Sequence, residues 1–205
     1  YLSRPYDANL NVGTGDFYIR CVIQTSVNNT NQTVCNRVDS GGSDGRILLL
    51  VEENEQLSLY LGSSRVLTGG SVTNGAYTTA SIYRLNGTVN MKIDGTIVDS
   101  AADSTDISTT DSLLEVGARA SNPGLEAPFG GSLAMFSIHP GSTSHDADDL
   151  WHRDTRALLE TGTVSLSSNI MSAAYNKRLG RFDIICADGK QRSIRGLTVS
   201  TGSDV

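Results

Sequence analysis

The chain has 205 residues, 38% apolar and 19% charged, with a formal net charge of −6. Its 21 Gly and 4 Pro, with Ser, Thr and Asn between short apolar runs, are the usage of many short strands and turns, which excludes a helical bundle. A sequence pI near 5.0, without a Lys/Arg stripe, also excludes nucleic acid as the main domain's partner.

After a polar start, Phe17–Thr25 predicts a strand with Phe17, Ile19, Cys21 and Ile23 inward and Tyr18, Arg20, Val22 and Gln24 outward. Asn28-Asn29-Thr30-Asn31 turns it toward a second strand, Thr33–Val38. A Gly/Ser/Asp loop, Asp39–Gly45, precedes the apolar run Ile47–Val51, which reads as a strand covered on both faces. Glu52–Gln56 is a charged turn, Leu57, Leu59 and Leu61 alternate into a strand, Arg65–Leu67 adds a short one, and Gly69–Gly75 is a loop. Tyr77–Leu85 opens a double hairpin. Asn86-Gly87 and Asp94-Gly95 each suit a type I′ turn, which needs positive φ at both central residues. Between them Val89, Met91 and Ile93 alternate with Thr88, Asn90 and Lys92, predicting a middle strand with one buried and one wet face.

Ala101–Ser112 is polar and aperiodic and reads as a surface loop. Leu113–Gly117 is a strand, Asn122–Gly131 a loop, and Ser132–His139 a strand with Ala134, Phe136 and Ile138 on one face. One helix is predicted over Ala147–Glu160, capped by Ser144 or Asp146, with Leu150, Ala157 and Leu158 along one side. The chain then returns to a three-strand meander, Ile170–Tyr175, Phe182–Cys186 and Gln191–Val199, with turns at Asn176–Gly180 and Asp188-Gly189. Three such strands are marginal alone, so the tail is expected to pack on the main domain, on neighbouring copies or on another protein. Its Lys177, Arg178, Arg181, Lys190, Arg192 and Arg195 read as solvated strand-edge charges, or as docking on an acidic partner surface.

No stretch reaches the roughly 18 apolar residues of a membrane span, and no charged segment leads into an apolar one at the start. The expectation is a soluble chain without membrane partners, truncated at Tyr1. Cys21, Cys35 and Cys186 lack zinc-site spacing, so buried reduced thiols are expected, with a Cys21–Cys35 bridge as the alternative. Sequons at Asn28, Asn31 and Asn86 are attributed to chance in a chain rich in Asn, Ser and Thr.

The run from Phe17–Gln24 through Tyr83–Val98, with Asp94-Gly95, then Leu114-Glu115-Val116-Gly117 and Phe129–Ile138, resembles laminin-G-like domains of the concanavalin A-like jelly-roll superfamily. The resemblance spans residues 10–160. The expected fold class is all-β: a concanavalin A-like jelly-roll sandwich over 1–160 with one short helix, and a C-terminal β-meander extension over 161–205. The tail Asn169–Leu197 resembles the short repeats that end some bacteriophage tail and virion structural proteins. Together these imply a non-enzymatic binding or assembly module, first a phage fibre, tail or capsid-decoration protein located in the virion. Its partners would be other virion proteins, identical copies or host-surface glycans. The alternative is a secreted extracellular glycan-binding module, calcium-assisted, using rim loops Ser40–Gly45, Ala101–Ser112 and Asn122–Pro128.

Glycoside hydrolysis on a jelly roll needs paired carboxylates on one strand facing a cleft. The nearest candidate, Glu52-Glu53-Asn54-Glu55, reads as a solvated turn. His139, His145 and His152 lack ligand spacing and read as cap or surface residues, and no Ser-His-Asp set emerges from spacing. Laminin-G-like domains often bind calcium through rim Asp residues, and Asp99, Asp103, Asp106 and Asp111 cluster, but without a ligand spacing they read as a solvated acidic loop. Trp151 is expected to anchor the helix, with Tyr18, Tyr60 and Tyr77 as equal candidates for ligand contact. No catalytic, cofactor-binding or metal-ligating residue is assigned.

Overall fold

The computed structural model describes residues 1–26, 29–38, 47–121, 124–141, 145–161, 170–176, 181–187, 190–195 and 198–204. The expected loop Asp39–Gly45, the cap Ser144 and the turn Asp188-Gly189 lie outside the described residues, as do Asn28 and most of the Asn176–Gly180 turn. The chain divides into two compact units, Tyr1–His152 and Arg153–Val205.

The first unit holds β1 (Leu2–Arg4), β2 (Phe17–Thr25), β3 (Gln32–Val38), β4 (Ile47–Val51), β5 (Gln56–Leu61), β6 (Ser64–Ser71) and β7 (Thr78–Leu85). It continues with β8 (Thr88–Ile93), β9 (Thr96–Ala102), β10 (Leu113–Val116), β11 (Arg119–Ser121), β12 (Gly124–Glu126) and β13 (Gly131–Pro140). A six-stranded sheet runs β1-β10-β3-β4-β5-β6 and a five-stranded sheet β13-β2-β7-β8-β9, while β11 and β12 pair as a hairpin. All pairings are antiparallel. Helix α1 (His145–Thr161) follows, and β14 (Ile170–Asn176), β15 (Arg181–Cys186), β16 (Lys190–Arg195) and β17 (Thr198–Asp204) make a four-stranded sheet in sequence order.

The alternation that predicted the strands also builds the core between the two sheets. Ile19, Cys21 and Ile23 of β2, Ile82 of β7 and Met91 of β8 meet Leu49 of β4 and Leu59 of β5, all fully buried. Ile47–Val51 is buried at every position, as its unbroken apolar run required. Both Asx-Gly turns adopt the predicted geometry, with φ of 50° and 76° at Asn86-Gly87 and 50° and 83° at Asp94-Gly95. Cys21, Cys35 and Cys186 are free and buried. Burial pushes both core thiols up, Cys35 to about 12, and Cys35 raises Cys21 further.

Several expectations are corrected. A bulge between Leu133 and Met135 shifts the phase of β13, so Leu133, Phe136 and Ile138 pack on the core while Ala134 is exposed. The Ala101–Ser112 loop is not superficial: β9 runs to Ala102, Ile107 is fully buried in the core, and Thr109 and Ser112 are buried. β6 extends to Ser71 through the expected Gly69–Gly75 loop, since bulges opposite β5 admit Gly70 at φ 65°. The polar start contributes β1, paired with β10, and the Asn122–Gly131 loop contributes β12. The tail has four strands, with Arg195 opposite Thr198 where a single Gln191–Val199 strand was expected. Lys92, assigned to the wet face of β8, is buried, because α1 covers that face. Asp146 lies inside the first turn of α1 instead of capping it, and Leu150 is exposed.

Two outcomes check this packing. A Cβ added at Gly131 would lie 2.0 Å from the Gln24 carbonyl oxygen and 2.9 Å from Thr25 Cα, backbone that cannot give way. Gly131→Ala is therefore expected to cost about 1–3 kcal/mol, read as a lower midpoint in thermal unfolding. Cys21 and Cys35 are expected to resist a thiol reagent at pH 8 in the folded protein and to react at once in denaturant.

Candidate functional site

The two sheets turn opposite faces away from the shared core, and the sequence equips them differently. On the five-stranded sheet, register aligns Arg20, Ser81 and Lys92 in one outward row across β2, β7 and β8. The start of α1 lies over that row. Asp148 is fully buried and meets Arg20 at 3.2 Å, Lys92 at 3.2 Å and Ser81 Oγ at 2.9 Å, while Asp149 takes Lys92 Nζ at 2.6 Å. Burial alone would lower the Lys92 ammonium, but Asp149 and Asp148 more than offset it and hold its pKa above the usual value.

His152, one turn after Asp148, places Nδ1 2.8 Å from Thr79 Oγ1 and Nε2 2.9 Å from Ser81 Oγ. Thr79 Oγ1 also donates to Asp94 at 3.0 Å. The His152 Cβ sits 3.5 Å from where a Cβ on Gly95 would stand, so the hairpin glycine also seats the helix. Burial pushes His152 below the ordinary imidazole range, against the pull of Asp148. Ser81, His152 and Asp148 thus meet, a grouping that spacing did not reveal, and His152 is buried where a cap or surface role was expected. They are not a catalytic triad: Asp148 bonds the serine, Nδ1 faces Thr79, and all three are at most 2% exposed.

Beside the helix, His139 stacks on Tyr18 at 4.8 Å, and the Arg20 guanidinium lies 5.1 Å from the Tyr18 ring and 5.2 Å from the Trp151 ring. Trp151 meets His152 edge-on. Trp151 therefore anchors the helix to the sandwich, as expected, through Arg20 and His152.

No described helix lies on the outer face of the six-stranded sheet, yet most of its outward residues are buried, with Arg65 of β6 reaching solvent. Register lines up Glu115, Asn36, Leu48, Tyr60 and Arg65 across β10, β3, β4, β5 and β6. A second row holds Thr33, Leu50, Ser58 and Thr68. Asn36 Nδ2 donates to Glu115 at 2.9 Å, and the Ser58 and Thr68 hydroxyls lie 2.8 Å apart. Glu52 reaches onto this face from its turn and accepts from Tyr60 Oη at 3.1 Å and Arg65 Nη1 at 3.1 Å. Its carboxyl would be raised by burial, yet hydrogen bonds from Ser58, Arg65 and Tyr60 hold it below the usual range. The solvated-turn reading of Glu52 is thus corrected. Thr33 Oγ1 and Asn36 Oδ1 are buried on this face with no hydrogen-bond partner among the described residues.

The clustered aspartates point elsewhere. Asp99 accepts from the backbone N–H groups of Thr68 and Ser100, Asp103 holds Arg84 and Thr105, and Asp106 accepts from the Ser108 N–H. Arg84 is fully buried and also donates to the carbonyls of Gly13, Gly15 and Thr105. Among the described residues no group of three His, Cys, Asp or Glu is placed to hold a metal ion.

Sequence reasoning named Glu52, Tyr60, Tyr18 and Trp151 singly, but it missed Arg20, Asn36, Arg65, Ser81, Lys92, Asp148 and Glu115. The available signal was the acidic first turn of the helix, Asp146 and Asp148, set against Lys92 on the nominally wet face of a strand. The cross-strand rows depend on register, which no local pattern carries.

No family model and no curated protein matches the chain. Solved structures do. The CBM40 module of Ruminococcus gnavus IT-sialidase, bound to α2,3-sialyllactose, superposes with a TM-score of 0.61 at 15% identity, over 74% of this chain and 98% of that one. Domains LG4-5 of the mouse laminin α1 chain give 0.53 at 15% identity, over 71% and 42%. The fold is a jelly-roll β-sandwich like that of these structures. Domain 4 of AbnA, a GH43 extracellular arabinanase from Geobacillus stearothermophilus, in complex with arabinotriose, gives 0.51 at 18% identity, over 64% of each chain.

The buried charges under α1 make a direct test of how this jelly roll keeps its helix. Asp148→Ala removes the shared acceptor of Arg20, Ser81 and Lys92 while Asp149 stays on Lys92, and is expected to cost about 1.5–3 kcal/mol in urea unfolding. Replacing Asp148 by Leu together with Lys92 by Met should recover part of that loss.

Proposed function

We propose that this chain is a non-enzymatic glycan-binding module whose ligand sits at the solvent-reaching Glu52–Tyr60–Arg65 group beside β5 and β6 of the six-stranded sheet. The observation that carries this reading is that polar set, where Tyr60, Arg65 and Glu52 join an aromatic ring, a donor fork and an acceptor in one hydrogen-bonded group. Sugars are held by that combination, an apolar ring face on an aromatic and hydroxyls on convergent polar groups. The group is fixed in advance, which lowers the ordering cost of binding.

The fold likeness supports the same reading, since the CBM40 module and AbnA domain 4 were each determined with a saccharide bound. The chain also spans nearly all of that CBM40 module. A hydrolase would need a second carboxylate across the scissile bond. Among the described residues Glu52 is the sole carboxylate of the Tyr60–Arg65 set. The virion role finds no counterpart among the structures named above.

The test is a glycan array probed with the full chain, with and without chelator, followed by titration of any ligand found. Tyr60→Ala and Arg65→Ala are each expected to weaken binding about tenfold or more, roughly 1.4 kcal/mol, while Tyr18→Ala on the opposite face leaves it unchanged. A blank array would contradict the proposal.

A further inference from the structure

Charge is unevenly divided along the chain. Residues 1–152 carry eight Lys/Arg and seventeen Asp/Glu, a net charge of −9, whereas residues 153–205 carry eight and five, a net charge of +3. The sandwich is therefore strongly acidic, and its described cations are already committed. Arg4, Arg20, Arg65, Arg84 and Lys92 are ion-paired with Asp7, Asp148, Glu52, Asp103 and the Asp148/Asp149 pair. Arg37 donates to the Ile107 carbonyl and to Asn11, and Arg119 is likewise engaged.

On the proposed binding face this leaves a closed ion pair. Arg65 Nη1 lies 3.1 and 3.3 Å from the two Glu52 oxygens, and the Arg65 side chain is 48% exposed, so the pair meets solvent. A ligand carboxylate would have to displace Glu52 from Arg65 and enter a field of its own sign, both of which oppose binding. Neighbouring hydroxyls need neither: one donates to the carboxylate and the next accepts from the guanidinium, each bond charge-assisted, with the ion pair kept.

We infer that this face selects neutral sugars presenting a vicinal diol to the Glu52–Arg65 pair beside Tyr60, and rejects sugars bearing a carboxylate. The inference rests on the glycan-binding reading above. It also separates this chain from the R. gnavus CBM40 module, which was bound to a sialylated ligand. Because Glu52 stays ionised below the usual carboxylate range, the pair should work unchanged from pH 8 to pH 5.

The experiment pairs neutral oligosaccharides, lactose and arabinotriose among them, with sialylated and uronic-acid counterparts, and titrates each into the full chain at low and high salt. The expected result is at least tenfold weaker binding of the acidic member of each pair, and less than a twofold change of neutral binding with salt. Tighter binding of an acidic sugar, equal binding of both members, or a steep loss of neutral binding with salt would overturn the selectivity. Glu52→Gln, nearly isosteric, is expected to cost neutral binding about tenfold with an unchanged circular-dichroism spectrum. Full affinity in that variant would overturn the assignment to this pair while leaving glycan binding intact. Failure of every glycan, neutral and acidic, would remove the glycan-binding reading itself.

Discussion

The buried contact of Lys92 with Asp148 decides how the outer face of the five-stranded sheet is closed. A lysine on the outward side of a central strand cannot be covered unless its charge is met, and Asp148 and Asp149 meet it from the helix. Arg20, Ser81 and His152 complete the set, so nearly every polar group under the helix has a partner close at hand. The arrangement brings together the residue types of a hydrolytic triad, yet sealing and connectivity make it a clamp. With that face closed, the polar group of the six-stranded sheet that reaches solvent is Arg65 with Glu52 and Tyr60, since Thr33, Asn36, Leu48, Ser58 and Glu115 beside it are buried.

The contrast between the two faces is one of satisfied against unsatisfied hydrogen bonding. Under the helix, hydroxyls and carboxylates close on one another within about 3 Å, as buried polar networks must. On the opposite face Thr33 and Asn36 keep buried oxygens without partners among the described residues. Native proteins leave few such groups, and both of these residues are fully buried, out of reach of a ligand. The exposed Arg65 and the Tyr60 hydroxyl, both fixed on Glu52, give that face its chemistry.

Much of the fold was legible because its causes are local. Asn86-Gly87 and Asp94-Gly95 demand positive φ, and the period-2 alternation of β2 and β8 identifies the core side, so both hairpins and the central core follow from the chain itself. The failures have non-local causes. Ala134 is exposed because a bulge shifts the phase halfway along β13, and nothing in Leu133-Ala134-Met135 announces it. Ile107 is one apolar residue in a polar segment, yet the Arg84–Asp103 clasp beside it fixes a loop that composition called superficial. Lys92 was assigned to water because the helix that covers it lies more than fifty residues further along the chain. The candidate site was least legible of all: Glu52 read as part of a charged turn, and only the register of β5 against β6 brings Arg65 and Tyr60 to it.

The most direct test of this account maps the ligand onto the folded protein. Amide chemical shifts recorded during titration with a glycan that binds are predicted to move at Glu52, Ser58, Tyr60, Arg65 and Thr68, with smaller changes at Thr33 and Asn36, and to stay fixed at Tyr18, Arg20 and His139. Shifts confined to Tyr18, Arg20 and His139, with β5 and β6 silent, would contradict it and place the ligand on the face that α1 covers.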